Sequence, residues 1–213
     1  RYPSFNPIST SGGSNEDGPS AGLLAAPGTY AVTMYLSNNG SVKQLGEAVS
    51  FNVKPLYEGS LEGSTIEVAS AFWRDYEATS RRASAVDGAM AKAEKTIMAM
   101  HKALANSSIA PQSGVSRLEG IRKSFQGLKS EYYGNQARME IGEKNLATVN
   151  DKMFAVYRGI SNSTYGPTAS HVEQMQLIKG MLSSAETKLK SIEASITQME
   201  QALKAAGAPY IDK

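Results

Sequence analysis

From Thr29 onward, apolar and polar positions alternate. Tyr30, Val32, Met34 and Leu36 fall on one parity and Ala31, Thr33 and Tyr35 on the other, the period of a half-buried strand. Ser37-Asn38-Asn39-Gly40 follows as a turn signal, because Asn and Gly tolerate positive φ. Val42–Leu45, and then Val49, Phe51 and Val53, predict two more strands. Three strands do not close a sandwich by themselves. Residues 1–55 are therefore expected to be the C-terminal part of a β-sandwich whose first strands lie elsewhere. Ser9–Gly22 is rich in Ser, Gly, Asn and Pro and reads as a loop.

Near Pro55 the period changes from two to between three and four. Residues 56–213 are expected to form a helical bundle. A first helix is predicted from about Ser64 to Ala105, with Ser64 and Glu67 as a capping box. Its stripe is Val68, Phe72, Tyr76, Thr79, Ala83, Val86, Met90, Ala93, Ile97, His101 and Leu104, a heptad-like seam. Asn106–Gln112, with Pro111, ends it. A second helix is predicted from about Ser113 to Tyr133, through Val115, Leu118, Ile121, Phe125, Leu128 and Tyr132. Gly134 and Asn135 interrupt it. A third is predicted from about Glu140 to Ile160, through Leu146, Val149, Met153 and Val156. The fourth starts after Thr168 and runs to about Ala206, with Gly207 and Pro209 as its stop. Its seam includes Val172, Met175, Ile178, Leu182, Leu189, Ile192, Ile196, Met199 and Leu203. The expected fold is mainly α: an antiparallel bundle of about four helices, two long and two shorter, preceded by a partial antiparallel β-sandwich. The short pair could lie in succession along the long pair or side by side.

Charge adds an exclusion. The chain has 22 basic and 20 acidic residues, a formal net charge of +2, so no nucleic-acid partner is expected. Hydrophobic residues at 41% permit a sizeable core. There is no cysteine, which removes disulfides, thiolate nucleophiles and Cys-type zinc sites. No run reaches the ~20 apolar residues of a membrane span, and no signal peptide is visible. The chain opens on Arg1-Tyr2-Pro3 without Met and reads as a fragment or processed product of something longer.

Candidate chemistry is sparse. His101 and His171 fall on different helices without partners at metal-ligand spacing, and no HExxH, GxSxG or Walker-type glycine loop occurs. The carboxylates Glu67, Asp75, Glu77, Glu94, Glu119, Glu131, Glu140 and Glu143 are expected mostly on polar faces. A glycosidase would need two of them across a cleft. Asn15, Glu16 and Asp17 offer oxygen ligands but lack EF-hand spacing, so a plain surface loop is expected. No metal or cofactor is implied, and no catalytic residue is assigned. Phe72, Trp73 and Tyr76 form an aromatic cluster. They are the candidate binding residues, as a platform for a partner or a sugar, set against a packing role where bundle meets sheet. The recurring methionines are expected as adaptable core filler. Gly120 and Gly127, seven apart, suggest close helix approach.

Arg1-Tyr2-Pro3 and Gly22–Leu36 (GLLAAPGTYAVTMYL) resemble a family of large exported bacterial proteins. These carry a sortilin-like β-propeller and are often described as glycosyl hydrolases with BNR (Asp-box) repeats. After the propeller comes an Ig- or fibronectin-like sandwich with a "WDLRYP" strand and an "A-PGTY-V-L" hairpin, and then a helical region. Tyr133-Gly134-Asn135 is similar to the family's break between helices. Ser163-Thr164-Tyr165-Gly166-Pro167-Thr168, with His171, is similar to its loop before the last helix, and Ala205-Ala206-Gly207-Ala208-Pro209-Tyr210 to its "AAGAPW" ending. The likeness runs in order along nearly the whole chain. It implies that residues 1–55 belong to an Ig- or fibronectin-like sandwich. It also implies an exported protein in the periplasm or at the cell surface, in Bacteroidetes-type bacteria. The propeller is absent here, and fold analogy is a weak warrant for hydrolase activity.

Three functions follow as expectations. The first is a non-catalytic structural and protein-interaction module, whose partner is the propeller of its own parent protein or an envelope complex. The alternative is an accessory or glycan-binding region of a carbohydrate-active enzyme. The third is a coiled-coil oligomerisation element, although four helices in one chain satisfy each other and make a monomeric bundle simpler.

Overall fold

A computed structural model describes residues 2, 5, 7, 22–56, 60 and 62–211. The loop containing Asn15, Glu16 and Asp17 lies outside the described residues. Of the described residues, 61% are helical and 13% are strand. In chain order the elements are β1 (Gly28–Asn38), β2 (Ser41–Val53), α1 (Ile66–Ala105), α2 (Pro111–Tyr133), α3 (Gln136–Glu140), α4 (Val149–Ile160) and α5 (Ala169–Ala205).

The β region has two described strands where the pattern predicts three. Val42–Leu45 and Val49–Val53 belong to one strand, because the irregularity between them, where Gly46 has φ 75°, does not break pairing. β1 and β2 pair antiparallel in a two-stranded sheet. Asn39 (φ 46°) and Gly40 (φ 79°) make the tight turn, the two-positive-φ geometry whose twist suits a hairpin.

Local chemistry sets the helix ends. Thr65, rather than Ser64, caps α1: its hydroxyl accepts from the Val68 N–H at 3.4 Å. Ser64 is used otherwise, giving its backbone N–H to the Tyr165 carbonyl at 2.9 Å. Pro111 opens α2, where its missing N–H costs nothing. Thr168 caps α5 as expected, in a box whose other half is His171: Nδ1 of the ring accepts from the Thr168 N–H at 3.2 Å.

The third predicted helix is split. Its expected beginning, about Glu140, is the end of the short α3, and α4 starts only at Val149. Gly142, at φ 74°, stops the first piece, and a Thr148–Asp151 capping box starts the second. Leu146, expected on the seam, is 90% exposed in the intervening loop.

Ion pairs establish helix direction. Lys179–Asp75 (2.6 Å) and Arg82–Glu186 (2.9 Å) each join residues 104 apart in sequence, so α1 and α5 run parallel. Lys129 to Glu94 (2.6 Å), Tyr132 to the Ala83 carbonyl (3.4 Å) and Tyr76 to the Met153 carbonyl (3.3 Å) show the opposite sense. As the α1 number falls, the partner number rises. α2 and α4 therefore lie in succession as one broken return leg. Out, back and out again leaves the two long helices parallel, not antiparallel as expected, because two helices in series count as a single leg.

The seams bury Met90, Met100, Leu118, Val149, Val156, Ile178, Leu182, Met199 and Leu203 almost completely. Those of α1, α2 and α5 begin later than the pattern suggests, with Val68, Val115 and Val172 exposed. His101, placed on the first seam, is also exposed, with Nε2 3.9 Å from Glu119.

The two α2 glycines do not mark close packing. Among the described residues, a methyl group at Gly120 or Gly127 would meet nothing within 4 Å. Each therefore carries the helix penalty of glycine, about 1 kcal/mol against alanine, without a packing return inside this chain. Gly120→Ala and Gly127→Ala are each expected to raise unfolding free energy by about 0.5–1 kcal/mol in urea titrations followed by circular dichroism. Destabilisation by either would mean that the groove beside α2 is filled in solution.

Candidate functional site

The expected platform of Phe72, Trp73 and Tyr76 folds inward. Trp73 is 3% exposed and Tyr76 equally buried, while Phe72 is half-buried against the core. The sequence pattern sets Trp73 beside the seam and Phe72 on it; the fold reverses their depth. Tyr76 packs against Tyr157 and Phe5, with ring centroids 5.9 and 6.0 Å away. Burial, and then the Tyr157 phenol, push its hydroxyl pKa up to about 12. Sugar stacking needs an open ring face, which Trp73 and Tyr76 do not offer in this conformation.

Several acid–base groups serve the scaffold. His171 caps α5, and its ring lies so close to α4 that a methyl group on Gly159 would sit 2.2 Å from Nε2. Asp75, Glu94, Glu131 and Glu186 bridge helices through Lys179, Lys129, Lys188 and Arg82. Tyr132 and Tyr133 have raised pKa values, chiefly from burial and with Asp87 nearby. Among the described residues no group of three or more His, Cys, Asp or Glu could hold a metal ion. No helix among them is long and apolar enough to cross a membrane.

Two features stand apart from that scaffolding. One is the hairpin surface. Directly paired residues share a face, so Tyr30↔Phe51, Val32↔Val49 and Met34↔Leu45 form one apolar side, extended by Leu36 opposite Lys43. Thr29↔Asn52, Ala31↔Ser50 and Tyr35↔Gln44 form the more polar side. Among the described residues nothing covers the apolar side: Val32 is 57%, Met34 64% and Val49 68% exposed. Below the hairpin, a cavity of about 520 Å³ separates its base from the bundle, walled by Leu24, Pro27, Val53, Pro55, Ile66, Trp73 and Tyr165.

The other feature is a cluster that the sequence pattern does not single out. Glu77, expected on a polar face, is 3% exposed. Its Oε2 accepts from Arg74 Nη1 at 2.7 Å, and Arg81 lies 4.0 Å away. Arg74 also donates to the Leu24 carbonyl at 3.2 Å and lies over the Tyr2 ring. An Arg and a Glu three apart beside an aromatic cluster are the only trace of this in the sequence. Leu23, 2% exposed, joins the bundle core, so the segment before the hairpin packs on helices from beyond the expected boundary at residue 55.

Comparison with protein-family models, with curated proteins and with solved structures finds no match.

Proposed function

We propose that this chain is a non-catalytic structural and protein-interaction module of a larger exported protein of the bacterial cell envelope, one with a sortilin-like propeller. In this reading the hairpin is part of an Ig- or fibronectin-like sandwich completed by strands outside residues 1–213, and the bundle is a stalk beside it.

The observation that carries the reading is the uncovered apolar side of the hairpin. Two strands alone are marginal in water, and open strand edges with apolar side chains are an aggregation hazard. Burying a Val, Leu or Phe contributes about 1.5–3 kcal/mol, so a cover is worth more than the hairpin's own pairing. Size favours a cover in the same polypeptide over a second copy. A strand of 11 residues at ~3.3 Å each, in a ribbon ~10 Å wide, presents roughly 350 Å². Two such faces bury about 700 Å², short of the ~1,200 Å² of a stable interface. A covalently continuous sheet avoids the association cost.

Amide exchange tests this. In the longer protein, the β1 and β2 amides are expected to exchange at least tenfold more slowly than in the 213-residue chain. Val32→Asp with Val49→Asp is expected to abolish that protection, yet to shift unfolding of the helices in the 213-residue chain by no more than about 0.5 kcal/mol. Equal exchange in the two proteins would sink the reading.

A further inference from the structure

We propose that Arg74 and Glu77 form a latch that holds the hairpin at a set angle to the bundle and opens as a unit. Two backbone hydrogen bonds bridge Tyr2 and the Gly22–Leu23 segment, with Tyr2 N–H to Leu23 O at 3.0 Å and Gly22 N–H to Tyr2 O at 2.8 Å. Arg74 pins this bridge to α1 from both sides. Nη2 donates to the Leu24 carbonyl, and the guanidinium carbon sits 3.9 Å from the centroid of the Tyr2 ring, within cation–π range.

Tyr2 carries the connection onward. The Tyr30 hydroxyl donates its one proton to the Ala26 carbonyl at 2.8 Å, so the 3.1 Å contact between the two hydroxyls has Tyr2 as donor. The Tyr30 ring stacks on Phe51 across the hairpin. A continuous path of contacts thus runs from α1 through Arg74, Tyr2 and Tyr30 to β2. Whatever covers the hairpin is held at the angle that this path sets.

The latch is balanced rather than welded. Glu77 is buried, yet among the described residues its Oε1 meets no hydrogen-bond partner, and neither does the buried Nε of Arg74. Both atoms are shielded from solvent with no compensating bond from a described residue, which opposes closure. Leu23, packed in the core, favours closure. Opening rehydrates the two polar atoms and exposes the leucine, so the strap has a closed and an open state, and the burial of Leu23 keeps the closed one dominant. This follows from the bundle side alone and holds whether or not the apolar face of the hairpin is covered.

Electron-spin distance measurement is the test. The chain has no cysteine, so Ser50→Cys on β2 and Glu173→Cys on α5, both exposed, give two unique label sites. The labelled chain should give one narrow distance. Arg74→Met, which keeps the stem and removes the head, and Tyr2→Ala should each at least double the width of the distribution while helical circular dichroism is unchanged. Should Arg74→Met lose helicity, Tyr2→Ala decides alone, because Tyr2 lies outside the helices. Unchanged widths in the variants, or a starting distribution as broad as theirs, would overturn the latch.

Discussion

Leu182→Ala should lower the unfolding free energy by about 2–5 kcal/mol, the range for a leucine removed from a core that relaxes only in part. Leu182 is completely buried near the middle of α5. One turn back lies Ile178, also completely buried, and Ala185 follows on the same seam. Lys179–Asp75 below and Arg82–Glu186 above mark this level of the α1–α5 contact, and packed neighbours along the seam let the void close only in part. Those ion pairs are close to half exposed and contribute little by themselves; they record the register of the two helices. Leu177→Ala supplies the contrast. It makes the same chemical change on the same helix, but Leu177 is 52% exposed, and about 0.5 kcal/mol is expected. Urea titrations of the two variants check the pair. Equal losses would mean that the buried seam of α5 is not the one running through Leu182.

That seam was legible from spacing alone, because a long amphipathic helix repeats its signal over many turns. The α5 start was legible too, since Thr168 precedes the periodic run and caps it. The third predicted helix failed where the signal was short. Leu146 continues the spacing of Val149 and Met153, but Thr148 and Asp151 can satisfy the first N–H groups of a new helix, and that local chemistry takes precedence. Helix direction was not legible: a seam has no arrow, and the parallel arrangement follows from α2 and α4 sharing one leg. The inversion of Phe72 and Trp73 has a similar origin. Near the start of α1 the burial comes from the segment around Leu23 and Leu24 and from Tyr165, neighbours far away in sequence, so a helical wheel misplaces the buried arc.

The hairpin pattern was the most informative part of the sequence for function. Alternation from Tyr30 to Leu36 predicted one apolar face, and the pairing puts Phe51, Val49 and Leu45 on that same face. What alternation did not supply is a cover for it, and the exposed Val32 and Val49 turn a pattern into a question about a partner. The latch was invisible for the opposite reason. Arg74 and Glu77 look like an ordinary exposed helix pair, and only the fold buries the carboxylate and brings Tyr2 and Leu24 to the guanidinium.

Gly166→Ala should cost about 2–5 kcal/mol, whereas the same methyl group at Gly120 should stabilise. Two terms add at Gly166. Its φ is 86°, and a side chain in that region costs roughly 1–2 kcal/mol. The new Cβ would also lie 2.6 Å from Ser64 Cβ and 2.9 Å from its Oγ, and forcing atoms into a filled space costs a further ~1–3 kcal/mol. Relief requires the loop before α5 to back away from the start of α1. That movement stretches the 2.9 Å bond from the Ser64 N–H to the Tyr165 carbonyl, the backbone tie between the two long helices at this end. It also shifts Tyr165, which walls the cavity under the hairpin together with Trp73. Gly166→Ala should therefore change the fluorescence of Trp73, the one tryptophan in the chain, whereas Gly120→Ala should not, because α2 is absent from that wall. Urea titration gives the energy and tryptophan emission gives the place. A stability loss with unaltered emission would put the strain elsewhere and remove the tie between this loop and the base of the hairpin.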